Sequence, residues 1–136
     1  MNFRLIALLL LLISPLHVFA TTPYTNINSQ ELKILQTQGT PIYDIRRAEE
    51  WAQTGVVAGS RMLTFVDATG KLMPDFVGKF TKAVDKHEPV ILICRTGNRT
   101  DVLSRALIQQ LGYTRVYNVK DGITRWISDG LPVTHN

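Results

Sequence analysis

Residues 89–103 read PVILICRTGNRTDVL, and the fold turns on how this stretch is read. Pro89–Cys94 is the most apolar segment after residue 20. It lacks the alternation of a strand wetted on one face, so it is expected to be a central strand covered on both sides. From Asn98 or Arg99 onward, Val102, Leu103, Ala106, Leu107 and Leu111 recur at intervals of three and four, which predicts a helix beginning just after Gly97. Cys94 therefore falls at the carboxyl end of a strand and before the amino end of a helix.

Asn28 and Glu31 have the spacing of a capping box ahead of Leu32, Ile34 and Leu35, so a helix is expected from Ser29 to about Gln38, stopped by Gly39. PIYDIR, residues 41–46, is short and β-prone, and AEEWAQ after it reads as a short helix ending near Gly55. GVVAGSRML supplies another extended piece before a turn at residues 68–70. Pro74 is placed at a first helical position, followed by an apolar stripe of Phe76, Val77, Phe80, Ala83 and Val84, which predicts a helix to about Asp85. RVYNV from Arg115 reads as a strand, GITRWIS from Gly122 as a short helix and GLPV as a closing loop. Strand and helix alternate, so the fold class is α/β, a mostly parallel central sheet with helices on both faces.

Residues 1–20, MNFRLIALLLLLISPLHVFA, carry one positive charge at Arg4, an apolar core over Leu5–Leu12, a break at Ser14 and Pro15, and small residues at Val18 and Ala20. This is the pattern of a secretory signal peptide. Pro15 and His17 interrupt the run well short of the roughly 20 apolar residues that a spanning helix needs. The expectation is cleavage before about Thr21, a periplasmic or secreted protein with no stable membrane insertion, and a single domain over residues 21–136.

That domain carries 14 Lys and Arg against 11 Asp and Glu, a net charge of +3. The basic residues are scattered without the clustering that a nucleic-acid face would show, so no nucleic acid is expected as partner and a small anionic ligand fits better than a polyanion. Cys94 is the only cysteine. An intrachain disulfide, a CxxC redox pair and a multi-cysteine zinc site are thereby excluded. His87 and His135 have no metal-ligand spacing, so no metal and no cofactor is assigned.

In an open α/β sheet, ligands collect beyond the carboxyl ends of the strands, where Cys94 is placed. The loop Arg95, Thr96, Gly97, Asn98 presents successive backbone N–H groups, and the following helix turns the positive end of its dipole to the same spot. Gly97 permits the close approach or backbone angle that such a cradle needs. Arg95 and Arg99 add full charges, and Thr100 adds a hydroxyl. These features favour a thiolate over a thiol and make Cys94 an accessible nucleophile. By themselves they do not separate attack on sulfur from attack on phosphorus.

The stretch CRTGNRT resembles the active-site loop of the rhodanese family, in which cysteine begins a loop of the form C-x-x-G-x-R-S/T. YDIRRAEEWAQTGVVAGS resembles the upstream family signature through Asp44, Arg46, Glu50, Trp51, Gly55 and Gly59. VYNVKDGITRW followed by GLPV resembles the closing element through Gly122, Trp126 and Pro132. Val56 stands where the family often has histidine, and Asp121 replaces the first glycine of a usual pair.

The resemblance implies a rhodanese-like three-layer fold and a sulfurtransferase working through a persulfide on Cys94. Its donor would be thiosulfate or a similar small anion, its acceptor a thiol or cyanide, with a sulfur-carrier protein as a further candidate partner. Residues 95–100 are the implied anion-binding loop. Arg95 and Arg99 are the anion-holding residues, with an ion pair to a neighbouring acid as the other reading of Arg99. Asp44 and Arg46 are expected to brace the loop or form an ion pair, and Trp51 and Trp126 to lie in the core. Two rivals stand beside this reading: a cysteine-dependent phosphatase or arsenate reductase, and a module that binds a sulfur carrier without turnover. The phosphatase loops place five residues between cysteine and arginine, whereas four lie between Cys94 and Arg99.

Overall fold

In the computed structural model, which describes residues 23–135, the apolar run ends up in the middle of a parallel sheet. The elements in chain order are β1 (Thr25–Ile27), α1 (Ser29–Thr37), β2 (Ile42–Asp44), α2 (Ala48–Thr54), β3 (Arg61–Met62), α3 (Phe76–Ala83), β4 (Val90–Ile93), α4 (Asn98–Leu111), β5 (Val116–Val119) and α5 (Gly122–Ser128). The strands lie in the order β1-β5-β4-β2-β3, and every pairing is parallel. The proposed signal peptide lies outside the described residues.

Strand β4 shows why an unbroken apolar run belongs at the centre. Val90, Leu92 and Cys94 enter one core with Phe76 and Phe80 of α3 and Leu103 and Leu107 of α4. Ile91 and Ile93 enter the other with Leu32 of α1 and Ile123 and Trp126 of α5. Successive side chains of a strand point to opposite faces, so a strand between two helical layers needs apolar residues throughout. The four side chains of β4 are fully buried, each contributing about 1.5 to 3 kcal/mol by removal from water.

Helix α1 begins as the sequence predicts. Glu31 N–H donates to Asn28 Oδ1 at 2.9 Å while Glu31 Oε2 accepts the Asn28 N–H at 2.8 Å, so two otherwise orphaned donors are satisfied at once. Helix α3 corrects the expectation at both ends. Asp75 is its N-cap and Ala83 its last residue, leaving Pro74 in the turn before the helix because Phe76 N–H bonds Met73 O there. Phe76, Phe80 and Val84 are buried, but Val77 is 40% exposed and Ala83 is also exposed. Only one row of the helix meets the sheet, so a residue next to that row can be apolar without being covered.

Strand β1, which carries no apolar alternation, pairs with β5 from Thr25↔Tyr117 to Ile27↔Val119. It is preceded by Tyr24, whose hydroxyl hydrogen-bonds Asp101 in the first turn of α4. The closing segment also does more than fill a loop. Val56 and Thr134 exchange backbone hydrogen bonds at 2.9 and 2.8 Å, which gives buried Val56 a packing role in place of a polar one.

Candidate active site

The loop after β4 is shaped by two glycines that permit what other residues do not. Gly97 has φ +96°, and a Cβ there would lie 2.0 Å from the Lys120 carbonyl oxygen. Gly122 has φ +60°, and its Cβ would lie 2.3 Å from the Arg95 carbonyl oxygen. Both positions combine a left-handed backbone with direct backbone packing. Asp121, by contrast, has φ −108°, so the departure from a glycine pair falls where a side chain is tolerated.

The start of α5 then fixes the loop from outside. Ile123 N–H donates to Cys94 O at 2.9 Å and Thr124 N–H to Arg95 O at 3.1 Å. With those carbonyls occupied, the loop retains its donors. Gly97 N–H points at Cys94 Sγ, 3.2 Å away. The N–H groups of Arg95, Thr96, Asn98, Arg99 and Thr100 find no acceptor among the described residues. Thr100 Oγ1 lies 3.5 Å from Cys94 Sγ and 3.0 Å from Gly97 O. Its single proton serves either the carbonyl or the sulfur.

Cys94 itself is only 1% exposed, which corrects the expectation of an accessible thiol. The sulfur faces the core shared with α3 and α4 because it continues the Val90 and Leu92 side of β4. Arg95, Thr96 and Asn98 are exposed around it. The Arg95 side chain makes no hydrogen bond or ion pair among the described residues.

Arg99 is placed differently. Its Nη1 and Nη2 donate to Glu50 Oε2 and Oε1 at 2.8 and 2.7 Å, so of its two expected roles the structure realises the ion pair. The Arg99 guanidinium holds the Glu50 carboxyl down at about 2, against the opposing effect of burial. Glu50 in turn raises Arg99, and burial opposes this. Glu50 was not among the site residues expected from sequence. Its signal is positional, since it is the third residue of α2 and its Oε2 also accepts the Arg47 N–H at 3.0 Å.

Asp44 and Arg46 form a wholly buried ion pair at 2.8 Å. Arg46 spends its remaining donors on Thr54 Oγ1 at 2.9 Å and Gly55 O at 3.0 Å, while Asp44 Oδ1 also accepts Trp51 Nε1–H at 3.0 Å. A buried charge is tolerated when it is paired and its other hydrogen-bonding positions are filled. These residues therefore tie α2 to the end of β2, and Trp51 is half-buried rather than wholly within the core. Trp126 is in the core, with Nε1–H donating to Pro132 O at 2.8 Å.

A family model for the rhodanese-like domain matches residues 28–129. The chain is 30% identical over 104 residues to the thiosulfate sulfurtransferase GlpE of Actinobacillus pleuropneumoniae serotype 3, covering 76% of this chain and 86% of that protein. It is 32% identical over 109 residues to a sulfurtransferase of Allochromatium vinosum, covering 79% and 92% respectively. Among solved structures, a rhodanese-related protein from Thermoplasma volcanium aligns with a TM-score of 0.63 at 26% identity, covering 83% of this chain and 100% of that one. The family match runs from the N-cap of α1 to the C-cap of α5, taking in the cysteine loop and the glycine that supports it, and the chain belongs to the rhodanese-like domain family.

Proposed function

We propose that the protein is a sulfurtransferase that carries a sulfane sulfur on Cys94 as a persulfide, taking it from thiosulfate or a similar anionic donor and passing it to a thiol or cyanide. The observation that carries this reading is the sulfur held at the loop, 3.2 Å from the Gly97 N–H and 3.5 Å from Thr100 Oγ1, in a loop whose other N–H groups find no acceptor among the described residues. In the first half-reaction the Cys94 thiolate attacks the outer sulfur of thiosulfate. A new S–S bond forms as the donor's S–S bond breaks, and sulfite leaves with the electron pair. In the second, an acceptor thiolate or cyanide attacks the negative terminal sulfur, and the Cys94 thiolate departs unchanged. Preorganised N–H groups stabilise charge on that terminal sulfur.

Two features favour sulfur over phosphate. Four residues separate Cys94 from Arg99, a short cradle for a tetrahedral oxyanion. Arg99 is also already engaged by Glu50 rather than free to clasp phosphate oxygens. The compartment in this reading is periplasmic or extracellular, supported by residues 1–20, and amino-terminal sequencing of exported protein is expected to begin near Thr21.

The test is whole-protein mass spectrometry after incubation with thiosulfate, followed by cyanide. The expected result is one added sulfur that cyanide removes as thiocyanate, absent from Cys94→Ser, whose circular dichroism matches wild type. Cys94-dependent hydrolysis of an aryl phosphate without sulfur loading would overturn the assignment.

A further inference from the structure

Arg95 and Arg99 belong to the same loop and carry the same charge, but the fold treats them differently. Arg95 is exposed and unengaged among the described residues. Arg99 is gripped at both terminal nitrogens by one carboxylate, with side-chain exposures of 21% for the arginine and 12% for Glu50. Such a fork-to-fork pair fixes direction as well as distance.

Glu50 is itself immobilised. Its Oε2 accepts the Arg47 N–H, its own backbone carbonyl faces Arg46 Nη1 at 3.4 Å, and the buried Asp44–Arg46 pair anchors the helix that carries it.

We propose that Glu50 is a positioning residue of the sulfur site, holding the Arg99 cation still in the first turn of α4 and leaving exposed Arg95 to capture the anionic donor. This division of labour rests on the sulfurtransferase reading above. The charged state of the clamp suits a fixed electrostatic role, because Glu50 is held down and Arg99 raised. The pair therefore stays ionised across neutral pH. A fixed, partly buried cation acts on charge that develops at the sulfur, whereas an exposed one attracts the donor from solution and is screened by salt.

The experiment is steady-state thiosulfate:cyanide transfer by the full chain, with persulfide loading measured by mass spectrometry on the same samples. Glu50→Gln is expected to lower kcat about tenfold while KM for thiosulfate stays within about twofold, and Arg95→Ala to do the reverse. Added salt raises KM in wild type and loses that effect in Arg95→Ala. Arg99→Lys keeps the charge without the fork, and should show the Glu50→Gln pattern in a protein whose melting temperature is near wild type.

The exchange Glu50→Arg with Arg99→Glu separates positioning from mere support. It should recover thermal stability relative to Glu50→Arg alone and still fail to load sulfur, because the charge at the loop is inverted. Recovery of both stability and loading would reduce the clamp to a structural tie and overturn the proposal. Glu50→Gln and Arg99→Lys both matching wild type in kcat and KM would overturn it as well. Failure of the wild-type protein to load sulfur would instead overturn the sulfurtransferase reading on which the proposal rests.

Discussion

Gly97 and Gly122 show how little freedom the sulfur loop has. At each, a methyl group would have to occupy a left-handed backbone and displace a carbonyl oxygen, at 2.0 Å from Lys120 O in one case and 2.3 Å from Arg95 O in the other. Gly122→Ala is expected to cost about 2 to 4 kcal/mol, the sum of the positive-φ penalty and the overlap. Because Arg95 O must move, sulfur loading should fall with it. Asp121→Gly, one residue earlier, should leave loading unchanged, and the pair of variants is compared by chemical denaturation and mass spectrometry. Arg46→Ala removes one half of the buried ion pair with Asp44. It strands the Asp44 carboxylate in a fully buried site, so a loss of about 3 to 5 kcal/mol is expected in urea denaturation.

Among the elements, α1 and α4 were legible from local signals, and β1 and α3 less so. The Asn28 capping box is a contact between residues three apart, which spacing alone reveals. Asn28→Ala should lower stability by about 1 kcal/mol, measured as a shift in the urea midpoint at unchanged slope. Strand β1 is three residues, Thr25–Ile27, with two of them exposed. It becomes a strand because β5 offers it a parallel edge, a partner more than ninety positions away in the register Thr25↔Tyr117. In α4 the periodic residues also divide in a way the period does not announce. Leu103 and Leu107 are buried, while Val102 is 59% exposed, since the sheet covers only one side of the helix.

For the whole molecule, the Glu50–Arg99 pair joins α2 to α4 across 49 positions of chain and makes stability depend on acid. Glu50 is lowered from 4.5 to about 2 by the Arg99 hydrogen bonds. A depressed carboxyl contributes stability that is fully present above its unfolded value and disappears as pH falls through its folded value. The stability difference between wild type and Glu50→Gln should therefore be constant above about pH 4.5, shrink below it, and reach its minimum near pH 2. Urea midpoints of both proteins across that range check the sign. A difference that grew on acidification would mean that the clamp is not held together by the ionised carboxylate.

The β4-loop-α4 unit, the parallel α/β class and Cys94 as candidate nucleophile can be read from the chain itself, because apolar continuity, helical period and the order cysteine-glycine-arginine are all local. Asp44 and Arg46 were likewise readable as an ion pair, lying two residues apart in a short strand and its exit. Only folding sets that Cys94 is buried, that Arg99 is held while Arg95 has no partner among the described residues, and that Glu50 does the holding. Each of these depends on which surfaces meet when α2, α4 and α5 close over the carboxyl ends of the strands. A side chain's charge is written in the sequence, but its partner and its exposure are set by segments that the chain brings together only on folding.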